Sequence, residues 1–221
     1  CLSISTKICG IKDELALGAS IDGGALYIGF VFYEPSPRYI NINKAKELAL
    51  KVPGDVNIVA VLVDPETEFL ESLISQVKID FLQLHGSESF ERVKDIKSQI
   101  GINVIKAIKV NSLSDIDKGI KFAECADMIL FDAHPINNTK KVLPGGNATT
   151  FDWNFLIQRK EELSQINWIL SGGLHSDNVI EAITSTSAIS VDVSSGVEIT
   201  PGKKDPLAIR EFLDIIRLFG K

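Results

Sequence analysis

Residues Trp168 to Glu198 read WILSGGLHSDNVIEAITSTSAISVDVSSGVE: an apolar run, a glycine pair, a run with helical spacing, and a second apolar run. The pattern predicts strand, turn, helix, strand. Both strands stop at the same chemistry, Ser171-Gly172-Gly173 after the first and Ser194-Ser195-Gly196 after the second. These are small residues whose backbone N–H groups can close around an anion, and two such turns on consecutive strands would together hold a phosphate. How many strands precede this pair decides the fold.

Working back through the chain gives six. Ile4–Cys9 is a short strand stopped by Gly10, followed by helical spacing from Asp13 to Ser20 and the break Gly23-Gly24. Leu26–Phe32 is near-continuously apolar, as a strand buried on both faces must be, and leads through Glu34-Pro35-Ser36-Pro37-Arg38 to a helix over Asn43–Val52. Val56–Val63 is the third strand; Asp64 reads as the N-cap and Pro65 as the first turn of a helix reaching Gln76. Phe81-Leu82-Gln83-Leu84-His85-Gly86 is the fourth, with Ser87 as cap of a helix to Ser98. Ile102–Val110 is the fifth, its helix running from Ser112 to Phe122. Met128–Asp132 is the sixth, followed by a polar loop from Ala133 to Thr149 and a helix from about Asp152 to Leu163. Pro206–Phe219 closes the chain as an amphipathic helix. Eight strands alternating with eight helices fit one α/β domain over residues 1–221, a single (β/α)₈ TIM barrel. An open doubly wound sheet would gather its ligand groups at one switch point, whereas here polar residues end strands one, two, four, six, seven and eight.

Composition narrows the function. The 221 residues are 45% hydrophobic and 24% charged, ordinary for a globular chain, and the net charge of −6 argues against non-specific nucleic-acid binding. No apolar run approaches the ~20 residues that span a bilayer. Lys7, Lys12 and Asp13 interrupt the N-terminus where a signal peptide needs its apolar region, so the expectation is a cytoplasmic protein. Cys1, Cys9 and Cys125 are too few and too scattered for a disulfide framework or a zinc ribbon.

Several residues could carry chemistry. Cys9 ends strand one, and period two places Lys7 on its face, so a thiol sits at the barrel mouth with an ammonium one layer below: a candidate base, or a small buried hydrophobe. Asp132 ends strand six behind four apolar residues, a setting that can raise a carboxyl into the range of an acid catalyst; the alternative is a cap or ion-pair partner. Asp192 in strand eight has serine and glycine neighbours that suit it to a ligand hydroxyl. Arg38, on a loop braced by Pro35 and Pro37, can offer its planar fork to a carboxylate or be merely solvated. His85 can bond a substrate oxygen or satisfy a helix end. His134 and His175 have no carboxylate or cysteine at metal-ligand spacing, so no metal site is expected.

Assembled, these residues resemble those of the phosphoribosylanthranilate isomerases of tryptophan biosynthesis, from Lys7 to the last helix. The resemblance is carried by Lys7-Ile8-Cys9-Gly10, Ser36-Pro37-Arg38, Leu82-Gln83-Leu84-His85-Gly86, Asp132, Phe151-Asp152-Trp153, Ser171-Gly172-Gly173-Leu174 and Asp192-Val193-Ser194-Ser195-Gly196-Val197-Glu198. It departs at Gly146-Asn147-Ala148, where the family usually has a further glycine. It implies an Amadori rearrangement of a small phosphosugar with neither metal nor organic cofactor, by a monomer or homodimer. Asp132 would be the acid, Cys9 the base, and Arg38 the reader of the anthranilate carboxylate. His85 and Asp192 would lie between, and Gly172, Gly173, Ser194, Ser195 and Gly196 would surround the phosphate. The phosphate would be held by backbone N–H groups, helped by a short helix N-terminus after strand eight, and not by a lysine; Lys203 and Lys204 are the competitors, which a loop could fold back over the anion or leave solvated at the start of the last helix. Two alternatives remain: another phosphosugar barrel such as indole-glycerol phosphate synthase, which would rely on Lys106 and Glu198, and a non-catalytic phosphosugar-binding barrel.

Overall fold

The eight apolar runs form strands β1 (Ser5–Cys9), β2 (Tyr27–Val31), β3 (Asn57–Leu62), β4 (Phe81–Leu84), β5 (Asn103–Val110), β6 (Met128–Ala133), β7 (Trp168–Ser171) and β8 (Ser190–Val193). In the computed structural model, which describes residues 3–133 and 153–220, they close in chain order into a barrel. Every strand pairs parallel with its neighbour, and β8 returns to β1 with Lys7 beside Asp192. This is the expected (β/α)₈ barrel.

Alternation sorts the side chains. Cys9, Val59, Val61, Ile105, Ala107, Leu130 and Ile169 pack together inside the barrel. The intervening Ile8, Leu82, Leu84, Val104, Ile129 and Phe131 belong to a second, larger cluster shared with the surrounding helices. That outer layer explains the helices' periodicity. The last one, Pro206–Phe219, buries Ile209, Phe212, Leu213 and Ile216 and exposes the opposite face, each buried side chain contributing about 1.5–3 kcal/mol. Pro206 opens it, and Asp205 caps it by accepting from the Leu207 N–H.

Local details differ from the sequence expectations. The helix after β4, Phe90–Ile100, is capped by Ser89, whose side chain accepts from the Arg92 N–H, and not by Ser87. The helix before it, Thr67–Gln76, starts after Glu66, so Asp64 is not its cap. Asp64 takes a left-handed backbone (φ 45°), and its carboxylate accepts from the Ser87 N–H of the next loop at 2.9 Å. Where one helix is expected from about Asp152 to Leu163, the described residues form two short helices, Asn154–Ile157 and Lys160–Leu163. Phe151, Asp152, His134 and the Gly145–Ala148 loop lie outside the described residues.

One buried ion pair braces the mouth from the helix side. Lys106 alternates out of β5 away from the barrel interior, and its ammonium donates to Glu88 at 2.8 Å and to the Leu84 and Gly86 carbonyls at 3.1 and 3.0 Å. The other Glu88 oxygen accepts from the Asp64 and Gly86 N–H groups. The backbone on both sides of His85 is thereby fixed. Lys106→Met would strand the Glu88 carboxylate out of water, and should cost about 3–5 kcal/mol in urea unfolding; a loss below about 1 kcal/mol would show the pair to be dispensable to the fold.

Candidate active site

Period two on the strands gathers the candidates. Lys7 and Cys9 of β1, Asp132 of β6, Ser171 of β7 and Asp192 of β8 share the inward side, as do Gln83 and, just beyond the end of β4, His85. A cavity of about 280 Å³ opens at the C-terminal ends of the strands. Cys9, Arg38, His85, Asp132 and Asp192 all line it, with Gln83, Ser171, Gly172, Gly173, Ser194 and Ser195. Gly196 is not part of the wall. A Cβ there would lie 1.9 Å from the Leu174 carbonyl oxygen, so this glycine serves the close approach of the two turns to each other. Gly172 (φ 101°) and Gly173 (φ 60°) are consecutive left-handed residues, and a Cβ on Gly172 would strike the Ala133 backbone at 2.2 Å. The segment after β8 is a single 3-10 turn, Ser195–Val197.

The floor of the cavity is a charged pair. Lys7, with no exposed surface, donates to Asp192 at 2.7 Å, and the other Asp192 oxygen accepts from the Ser171 hydroxyl at 2.8 Å. Burial pulls the Lys7 ammonium toward neutrality, but Asp192 and Cys9 outweigh it, so its pKa stands above the ordinary lysine value. Cys9 is a buried free thiol. Burial pushes it up against the opposing charges of Lys7 and Lys204, so the resting group is the thiol. Among the acids, Asp132 faces His85 across 3.5 Å (Oδ2 to Nε2), and His85 Nδ1 meets the Gln83 amide nitrogen at 2.9 Å. His85 therefore does not serve as a helix cap.

Arg38 is not merely solvated. Its Nε and Nη2 donate to the two oxygens of Glu198 at 2.8 and 2.7 Å, while Glu198 also accepts from Lys204 at 2.8 Å. Burial works against ionisation of Glu198, yet Arg38 and Lys204 hold its pKa below the usual carboxylate value. The side-on clamp leaves the end-on Nη1–Nη2 edge of the guanidinium for a second carboxylate. Lys204 corrects an expectation: it is buried, donating to the Ser194 carbonyl and Glu198 from behind the strand-eight turn. Burial lowers its pKa, with Glu198 opposing.

The sequence pointed to no role for the side chains of Gln83 and Glu88 or for the Ser171 hydroxyl, and to a solvated Lys204. Alternation signalled Gln83, two residues before His85; the others required partners on distant segments. Lys106 and Glu198, on which a synthase-type reading depends, are bonded to Glu88 and to Arg38 and Lys204, and neither lines the cavity. Among the described residues no group of three or more His, Cys, Asp or Glu could hold a metal ion, and no described helix is long and apolar enough to cross a membrane.

The family model for N-(5'-phosphoribosyl)anthranilate (PRA) isomerase matches residues 6–215. A protein of Paramagnetospirillum magneticum named N-(5'-phosphoribosyl)anthranilate isomerase is 44% identical over 216 residues, 98% of each chain. One of the same name from Rhodospirillum centenum is 44% identical over 212 residues, covering 96% of this chain and 97% of its own. Among solved structures, the phosphoribosyl anthranilate isomerase of Thermotoga maritima superposes with a TM-score of 0.83 at 36% identity, covering 97% of this chain and 98% of its own. A second isomerase structure, in complex with reduced 1-(o-carboxyphenylamino)-1-deoxyribulose 5-phosphate, gives 0.82 at 34% identity with the same coverage.

The state of Cys9 is open to measurement. Because burial raises its pKa, alkylation by iodoacetamide, followed on the Cys9 peptide by mass spectrometry, should have its pH midpoint above that of an ordinary thiol. A midpoint at or below the ordinary value would show that the Lys7 charge dominates over burial. The sign for stability is the same: the contribution of the protonated thiol is present below its unfolded pKa and is lost as pH rises through the raised folded one.

Proposed function

From the premise that the chain belongs to the N-(5'-phosphoribosyl)anthranilate isomerase family, we propose how its own residues carry the reaction. The chemistry is an aldose–ketose isomerisation in tryptophan biosynthesis, an Amadori rearrangement with no net oxidation: one hydrogen leaves C2 of the sugar and one arrives at C1. Asp132 protonates the furanose ring oxygen, the C1–O bond breaks, and the anthranilate nitrogen's electron pair forms the C1–N Schiff base. That cation acidifies C2–H, and the Cys9 thiolate takes the proton. The resulting enolamine tautomerises to the ketone. One acid and one base are sufficient.

The rest of the wall orients the substrate. Arg38, its side-on face held by Glu198, turns its end-on edge to the anthranilate carboxylate. Asp192 accepts from a sugar hydroxyl while Lys7 and Ser171 keep it fixed. His85 bonds substrate oxygen beside Asp132. The backbone N–H groups of Gly172, Gly173 and Ser195, with Ser194, receive the phosphate, and Gly196 lets their two turns meet. The observation that carries this reading is the meeting of Cys9 and Asp132, from strands one and six, in one cavity with Arg38 and both glycine turns. No step is assigned to a cofactor, and the proposed partner is the small phosphosugar alone, handled in the cytoplasm by a monomer or homodimer. One solved structure is of mutually generated monomers of the dimeric isomerase of Thermotoga maritima.

Loss of the substrate's fluorescence with purified protein reports turnover directly. Cys9→Ala and Asp132→Asn should each lower kcat by roughly 10² to 10⁴; either variant folded and turning over at the wild-type rate would remove that residue from its role. Arg38→Lys keeps the charge but loses the fork, so it should raise KM for the carboxylated substrate with a smaller effect on kcat. An unchanged KM would exclude Arg38 as the carboxylate reader.

A further inference from the structure

Gln83 is only 1% exposed, yet it lines the cavity, and its amide oxygen is buried without a hydrogen-bond partner. A core position on β4 would more cheaply hold an apolar residue, as its neighbours Leu82 and Leu84 do. The reason lies two residues on. Gln83 Nε2 stands 2.9 Å from His85 Nδ1, and an amide nitrogen can only donate. Nδ1 must then be the lone-pair nitrogen, and the neutral ring carries its proton on Nε2, the atom 3.5 Å from Asp132 Oδ2. The opposite amide orientation would put two N–H donors where the unpartnered oxygen now lies. Two unpaired buried donors cost more than one unpaired acceptor, so the orientation follows from the hydrogen-bonding pattern.

We propose that Gln83 is a positioning residue: it selects the Nε2–H tautomer of His85, which occupies Asp132 Oδ2 and confines the acid's proton to Oδ1. The inference rests on the reading of Asp132 as the acid. A separation of 3.5 Å is long for a resting contact, and catalytic hydrogen bonds commonly tighten when substrate binds. With the other tautomer, the ring would turn a lone pair toward Asp132 and draw its proton away from the sugar ring oxygen. Gln83 thus acts on the acid through the imidazole, without touching the reacting atoms.

Nitrogen-15 NMR of the resting, uniformly labelled protein reads the tautomer, with the His85 signals assigned by their loss in His85→Asn. Wild type should show a pyridine-like Nδ1 and a pyrrole-like Nε2. Gln83→Glu presents only acceptors and should move the proton to Nδ1. Gln83→Met, close in size and apolar, should lose the single-tautomer signature and lower kcat roughly tenfold, a fraction of what a positioned acid contributes, with KM little changed. A wild-type ring protonated on Nδ1 overturns the proposal, as does Gln83→Met with wild-type kcat. If the buried carboxylate of Gln83→Glu prevents folding, Gln83→Met decides by both readouts. The NMR measurement needs no turnover, so an inactive wild-type protein would overturn the assigned reaction while the tautomer is still read separately.

Discussion

The ion pair between Lys7 and Asp192 joins the first strand to the last. Both groups are out of water, 2.7 Å apart, at the seam where β8 closes on β1. A slip of one residue in that register would turn Lys7 outward into the apolar layer under the helices, where its ammonium would meet no carboxylate. Buried pairs of this kind are weak sources of net stability, since desolvation offsets most of the attraction. Their effect is selective: few other registers satisfy both charges. The pair also supplies the site, because Asp192 accepts from Ser171 on the next strand and Lys7 lies beside Cys9. Closure of the barrel and the electrostatics of its mouth therefore come from the same atoms.

A second charged set works at the rim by the same logic. Glu198 takes both the Arg38 fork and the Lys204 ammonium, and Lys204 in turn holds the Ser194 carbonyl. One carboxylate thus ties the loop after β2 to the turn after β8. An arginine paired with a single carboxylate would have much of its field cancelled; Lys204 shares that carboxylate from a buried position, and Arg38 is the member of the cluster that lines the cavity. A cation in the wall suits the proposed anionic substrate on a chain whose overall balance is −6.

Much of this was legible in the chain because the barrel is local in its construction. Each strand and its helix are adjacent in sequence, and alternation within a strand places Lys7 with Cys9 and Leu130 with Asp132 without knowledge of any neighbour. Strand-end position, and the family resemblance built on it, therefore found the candidate acid and base. What remained hidden were interactions across long separations. Arg38 and Glu198 are 160 residues apart, and Asp64 meets Ser87 across 23. From sequence, Asp64 before Pro65 has the form of a cap and Lys204 the form of a solvated charge; only the packed neighbours show that one latches a loop and the other is buried. The packing role of Gly196 was hidden for the same reason, since a glycine needed for backbone approach and one needed for a ligand read alike.

The proposed acid and base set a protonation problem that explains why cations surround a buried thiol. Asp132 must keep a proton while Cys9 gives one up, although an ordinary carboxyl is the stronger acid by a factor of about 10⁴–10⁵. The productive arrangement is therefore the minor one unless the surroundings narrow that gap. Burial widens it at Cys9, because removing water disfavours the thiolate, and the negative charge of Asp192 widens it further. Lys7 and Lys204 act in the opposite direction, and Lys7 can do so only while it stays charged in a site without solvent. Asp192 secures that charge. A neutral side chain in place of Asp192 would leave the Lys7 ammonium unpaired and inclined to lose its proton, and the thiolate would lose its nearest counter-charge with it. In the proposed reaction Asp192 thus acts on the base in two opposed ways, raising the thiol directly while keeping charged the ammonium that lowers it.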